Sequence, residues 1–167
     1  GVIEKMVSDV ASRHLGGDDN IDLADGNHWV IGGFGADTIL GGTGTDVVLG
    51  DNGSAVYTAG VLTRLESTDD SEATGAADTI RLGSGDSAVI AGAGADEVTT
   101  TGSDNDYVIG DHGYITWSDA GVITELRSKL ETQGGGDTIS LAEGNHWIIG
   151  GFGADTIVAT DGSDIVL

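Results

Sequence analysis

The chain has 167 residues, with 28 acidic side chains against six basic ones, 30 glycines, and no proline or cysteine. That composition excludes disulfide stabilisation and disfavours nucleic acid as a partner, whose binders present basic faces. A compact fold at a formal charge of -22 repels itself unless something cationic neutralises it. Hydrophobic residues, 38% of the chain, recur at regular places, which disfavours disorder. No apolar run approaches the roughly 18 residues of a membrane span.

In chain order, residues 1–15 (GVIEKMVSDVASRHL) read as the tail of a hairpin insert. Residues 16–53 form a first block of short rows, 54–74 a hairpin insert, and 75–113 a second block. Residues 114–133 form another hairpin insert and 134–167 a third block. The chain starts without Met and ends at Leu167, where the next GD would be expected, so it reads as an excerpt of something longer.

Each row has nine residues. With the usual aspartate placed sixth, the sixth positions are Asp19, His28, Asp37 and Asp46, then Asp78, Ser87, Asp96 and Asp106, then Asp137, His146, Asp155 and Asp164. The eighth is always Ile or Val: Ile21, Val30, Ile39, Val48, Ile80, Val89, Val98, Val108, Ile139, Ile148, Ile157 and Val166. One extra residue sits between Asp96 and Asp106. The blocks repeat every 59 residues, and GNHWVIGGFGADTI recurs as GNHWIIGGFGADTI. Such self-similarity marks a solenoid.

Nine residues fit one very short strand and one glycine-rich turn. Two rows per coil wind into an all-β, parallel β-roll or β-solenoid, its eighth-position side chains filling the gap between two sheets. Coils then stack about 4.8 Å apart, bringing Asp19 near Asp37 and Asp78 near Asp96. Bare carboxylates stacked so closely repel one another, and the turn carbonyls add oxygen without donors. An acidic, oxygen-rich turn suits a hard divalent cation with six to eight ligands, so calcium is the expected partner, as several ions. The candidate ligands are Asp19, Asp37, Asp46, Asp78, Asp96, Asp106, Asp137, Asp155 and Asp164, with Asp51 and Asp111 of GDNG and GDHG.

GGFGADTIL and GGTGTDVVL fit the nonapeptide G-G-x-G-x-D-x-U-x at every fixed position, and the chain resembles the repeats-in-toxin calcium-binding proteins. The resemblance implies a parallel β-roll with calcium held between stacked turns by aspartates and main-chain carbonyls. It also implies a secreted bacterial protein that folds outside the cell. The chain departs from the family where His28, Ser87 and His146 replace aspartate. There the acid or amide comes one residue earlier, at Asn27, Asp86 and Asn145, and those sites are expected to be weak or empty. Interruption of the roll by hairpins every four rows resembles the repeat arrays of very large bacterial surface proteins.

The inserts SAVYTAGVLTRLEST and YITWSDAGVITEL alternate apolar and polar residues around glycine turns, as β-hairpins do. They and the N-terminal tail hold five of the six basic residues, Lys5, Arg13, Arg64, Arg127 and Lys129, along with Tyr57, Tyr114 and Trp117. Each hairpin either folds onto its own roll or contacts a neighbouring molecule through Trp117. Trp29 with Phe34, and Trp147 with Phe152, offer a second surface for self-association. Imidazole suits calcium poorly, so His28 and His146 read as turn residues rather than ligands. The carboxylates are arrayed rather than paired in a cleft, so no enzyme is expected. The sequence is read as a structural calcium-binding segment of an extracellular or cell-surface protein: an adhesin stalk, filament or matrix component. The alternative is a secretion and folding module of a secreted toxin or enzyme.

Overall fold

A computed structural model describes residues 3–8, 16–68, 75–129 and 132–167; Arg13 and the linker at 69–74 lie outside them. The described residues are all-β, in three sheets numbered here in chain order. The first sheet stacks β2 (Asn20–Asp22), β4 (Thr38–Leu40), β8 (Thr79–Leu82), β10 (Glu97–Thr100), β14 (Thr138–Leu141) and β16 (Thr156–Ala159). The second stacks β3 (Trp29–Ile31), β5 (Val47–Leu49), β9 (Ala88–Ile90), β11 (Tyr107–Ile109), β15 (Trp147–Ile149) and β17 (Ile165–Val166). All neighbours in both are parallel.

Successive rows alternate between these sheets, so each coil takes two rows. Parallel neighbours are therefore 18 residues apart, as in the bond from Asp19 to Asp37. Across an insert the offset becomes 41, yet Thr38 still faces Thr79 and Ile39 faces Ile80. The roll resumes in register as though the insert were absent. The extra residue before Asp106 raises one offset to 19 without breaking the pairing of β9 with β11.

The third sheet is antiparallel and holds β1 (Lys5–Val7), β6 (Gly53–Thr58), β7 (Val61–Ser67), β12 (Gly113–Trp117) and β13 (Ile123–Ser128). β6 and β7 form one hairpin, β12 and β13 another, and β7 pairs with β12. Consecutive inserts are thus stitched edge to edge, which also covers strand edges that would otherwise stay open. The first hairpin turns through Ala59 (φ 51°) and Gly60 (φ 85°), both in the left-handed region that a two-residue turn between twisted strands requires.

Alternation along each short strand separates two cores. Eighth-position residues from Val30 to Ile148 point between the two parallel sheets and are buried, joined by Leu82 and Leu141. Ile21 and Ile157 pack against them at the ends, while Val166 on the last strand is 49% exposed. The flanking residues of the second sheet, Val47, Leu49, Ala88, Ile90 and Ile109, point the other way onto Ala55, Leu65 and Ile115 of the hairpins. Trp117 is half-buried in this second core. The outward aromatic rings also find partners: Trp29 meets Tyr57 edge-on at 6.4 Å and Trp147 stacks on Tyr107 at 5.0 Å.

Both cores are expected to carry stability. Ile80→Ala and Leu65→Ala should each lower the unfolding free energy of the calcium-loaded chain by about 2–5 kcal/mol in denaturant titration. A near-zero loss for Leu65→Ala would show the hairpin sheet detached from the roll.

Candidate metal sites at the turns

The two-row coil divides the sixth positions between two edges. Turns entering the first sheet place Asp19, Asp37, Asp78, Asp96, Asp137 and Asp155 in one unbroken column. Turns entering the second sheet place His28, Asp46, Ser87, Asp106, His146 and Asp164 in the other. Reading rows in blocks of four hides this division, because aspartates of both columns look alike in sequence.

On the acidic edge each aspartate is tied to the coil before it. The main-chain N–H of Asp19 donates to Asp37 Oδ1 (2.8 Å), Asp37 to Asp78 (2.8 Å) and Asp78 to Asp96 (2.8 Å). Asp96 likewise donates to Asp137 (2.9 Å) and Asp137 to Asp155 (3.0 Å). The sequence reading supplied these carboxylates with no donors; the turn backbone in fact provides one N–H apiece. It provides no more than that. The Oδ2 atoms of Asp37, Asp78, Asp96 and Asp137 are buried and accept no hydrogen bond. A buried ionised oxygen without a partner is costly, and a cation removes that cost.

The glycine at the first position of the row explains what surrounds those atoms. A Cβ at Gly32 would lie 2.5 Å from Asp37 Oδ2 and would also strike the Gly50 carbonyl oxygen. At Gly50 it would strike Asp78 Oδ2 and the Ala91 carbonyl, and at Gly110 Asp137 Oδ2 and the Gly150 carbonyl. Carboxylate and carbonyl oxygens therefore crowd one small volume at these glycines, which a Cβ would enter. Among the described residues no three His, Asp or Glu side chains converge on a point. Each turn offers one free carboxylate oxygen, with main-chain oxygens as its companions. This donor set is all oxygen and fits calcium, which accepts carbonyls as readily as carboxylates.

Burial acts first on the protonation of this column. It raises the Asp37 carboxyl above its usual value, Asp78 to about 7, Asp96 to about 9 and Asp137 to about 6, with neighbouring carboxylates adding to the shift. Asp51 and Asp111 stand apart from the rows. Asp51 Oδ2 accepts the Ala93 N–H at 2.5 Å. Asp111 accepts the Gly135 N–H at 2.9 Å on one oxygen and the Phe152 N–H on the other. Both brace the turn of a following row where an insert leaves the roll; burial lifts Asp111 to about 7.

The mixed edge replaces aspartate at His28, Ser87 and His146. Asp46 N–H donates to Ser87 Oγ (3.4 Å), and Asp106 N–H donates to His146 Nδ1 (3.1 Å). The preceding amides and acids form an outer ladder: Asn27 accepts from Thr45, Asp86 from Asn105, and Asn145 from Ser163. The sequence reading also passed over the first position on this edge. It is Leu23, Leu82 or Leu141 wherever the sixth is His28, Ser87 or His146.

A family model described as RTX calcium-binding nonapeptide repeat (4 copies) matches residues 24–56, 72–108 and 131–166, more than half of the chain. No curated protein and no solved structure matches it.

The raised carboxyls fix the sign of a pH effect. The metal-free fold binds protons that the unfolded chain has released, so its stability is greatest near pH 4 and falls as pH rises through about 6 to 9. With chelator present, the strand signal in circular dichroism should be greater at pH 4.5 than at pH 8, where the chain is coil-like. Excess calcium should reverse that order, because protons and calcium compete for the same oxygens. A chelated spectrum indifferent to pH would contradict the burial of these groups.

Proposed function

Because the chain belongs to the RTX calcium-binding nonapeptide repeat family, whose members bind several calcium ions, we propose that its roll is a load-bearing spacer in a secreted or cell-surface bacterial protein, such as an adhesin stalk, filament or matrix component. The observation that carries this reading is the parallel register kept across both inserts, Thr38 with Thr79 and Glu97 with Thr138. Blocks joined that way share one hydrophobic core and one column of turns, so they extend as a single rod rather than as beads on linkers. The carboxylates lie along an edge instead of in a cleft, which supports a structural over a catalytic role. No helix of the described residues is long and apolar enough to cross a membrane.

Calcium also times the folding in this reading. Extracellular modules bind calcium at about 10⁻⁴ to 10⁻³ M, so the chain stays unfolded before export and folds after it. Sites absent from the unfolded chain make binding energy into folding energy. Circular dichroism of the segment should be coil-like in chelator and gain strand signal on calcium addition. Equal strand content in both conditions would defeat the proposal of folding on export.

Exposure of Trp29 (49%) and Phe152 (44%) supports a second reading, lateral self-association. Trp117 is half-buried in the hairpin core, which favours Trp29 and Phe152 as the contact. Changing Trp29 and Phe152 together to Ala should then reduce the weight-average mass of the calcium-loaded chain in sedimentation equilibrium. An unchanged mass would exclude that surface.

A further inference from the structure

We infer that calcium is confined to the acidic edge, and that the mixed edge is a metal-free seam closed by leucine and by hydrogen bonds within the chain. The inference rests on the family's calcium binding and assigns it within this chain.

The first position of the row separates the two edges at three turns. On the acidic edge it is Gly32, Gly50, Ala91, Gly110 or Gly150, small enough for a carboxylate oxygen to turn inward beneath it. On the mixed edge Leu23 accompanies His28, Leu82 accompanies Ser87, and Leu141 accompanies His146. A methyl is tolerated there, since Ala91 precedes Asp96 with its buried Oδ2, but a leucine adds further carbons at the position that Asp37 Oδ2 already crowds at Gly32. Leu82 and Leu141 are buried in the first core, and Leu23 packs against it. Three turns of this edge thus have aliphatic carbon where the acidic edge has oxygen.

At His146, Ser87 and Asp106 the polar groups of the seam are satisfied without an ion. His146 Nδ1 accepts the Asp106 N–H, so the ring proton sits on Nε2, 3.1 Å from the Ala142 carbonyl it donates to. Neither ring nitrogen keeps a lone pair for a metal. Ser87 Oγ accepts from Asp46 and donates to the Gly85 carbonyl at 3.4 Å. Asp106 accepts the Ser87 N–H on Oδ1 (3.1 Å) and the Thr100 hydroxyl on Oδ2 (2.7 Å). That aspartate, a candidate ligand by sequence, therefore has no unpaired oxygen, in contrast to Asp37, Asp78, Asp96 and Asp137. Asp46 Oδ2 is buried and unpaired, but its surroundings differ. The point where a Gly41 Cβ would stand is 2.6 Å from this oxygen and 2.9 Å from a Leu82 methyl, with no carbonyl among its nearest neighbours. One carboxylate oxygen against a methyl group does not make the six- to eight-oxygen shell of calcium.

Manganese, which takes the same carboxylate and carbonyl donors, reports position by paramagnetic broadening. In the isotopically labelled, calcium-loaded chain, a low level of added manganese should erase the amide signals of Gly94, Asp96 and Asp137. Those of Ser87, Asp106 and His146 should persist at that level. In parallel, Asp96→Asn should raise the calcium midpoint of folding about tenfold, and His146→Gln should leave it within about twofold. Loss of the Ser87 and His146 signals together with the others, or an equal midpoint shift in His146→Gln, overturns the one-edged assignment alone. A chain that takes up neither calcium nor manganese overturns the calcium reading beneath it. Should Asp96→Asn fail to fold at any calcium level, the manganese measurement on the unaltered chain decides.

Discussion

A buried carboxylate with one oxygen satisfied and the other not is the condition on which this structure turns. The N–H of one coil holds Oδ1 of the next, which fixes each aspartate in register and keeps it from swinging out to water. The same bond points Oδ2 inward, where nothing in the polypeptide answers it. Registration of the turns and demand for a cation are therefore one feature. A chain whose turns were spaced differently would have neither. Net charge follows the same logic: an excess of acid that would burst a compact domain becomes tolerable once cations lie along its edge.

The second constraint is layering. Strands of three or four residues cannot bury much on one face, so the molecule uses both faces of its second sheet. WVI, VVL, AVI, YVI and WII are apolar throughout, and each is covered by the first sheet on one side and by hairpins, or a neighbouring aromatic ring, on the other. TIRL and TISL of the first sheet carry their buried aliphatic side chains on one face only, and their other face is polar. Sheets buried on both faces read as continuous apolar runs, and half-buried ones alternate. The hairpins are thus a third layer that converts an exposed sheet into a central one.

Much of this was legible in the amino-acid order. The nine-residue period and the unbroken run of Ile and Val at the eighth position gave the parallel roll, because only a two-row coil puts those side chains in one gap. The Gly and Asp positions gave calcium. What stayed hidden were features that depend on which rows become neighbours. The pairing of Leu141 with His146, and of Leu82 with Ser87, is plain in the letters, yet it acquires meaning only when alternate rows are stacked. The main-chain donors to Asp37 and Asp78 leave no trace in sequence, since every residue has an N–H and register alone decides where it points. Asp51 and Asp111 read as further members of the acidic set, and the letters do not show that backbone donors of rows across an insert reach Asp51 Oδ2 and both oxygens of Asp111. The covering of the second sheet could have been read from its uniformly apolar rows.

Two unlike edges on a coil of two rows also limit how a gene for such a chain can grow or shrink. Removing a single nonapeptide would carry every downstream aspartate column to the opposite side and set leucines beneath carboxylates at the junction. Gains and losses in pairs of rows, or in whole blocks, leave each column on its own side. Slippage during replication is therefore filtered by parity, and inherited length variants should differ by even numbers of rows.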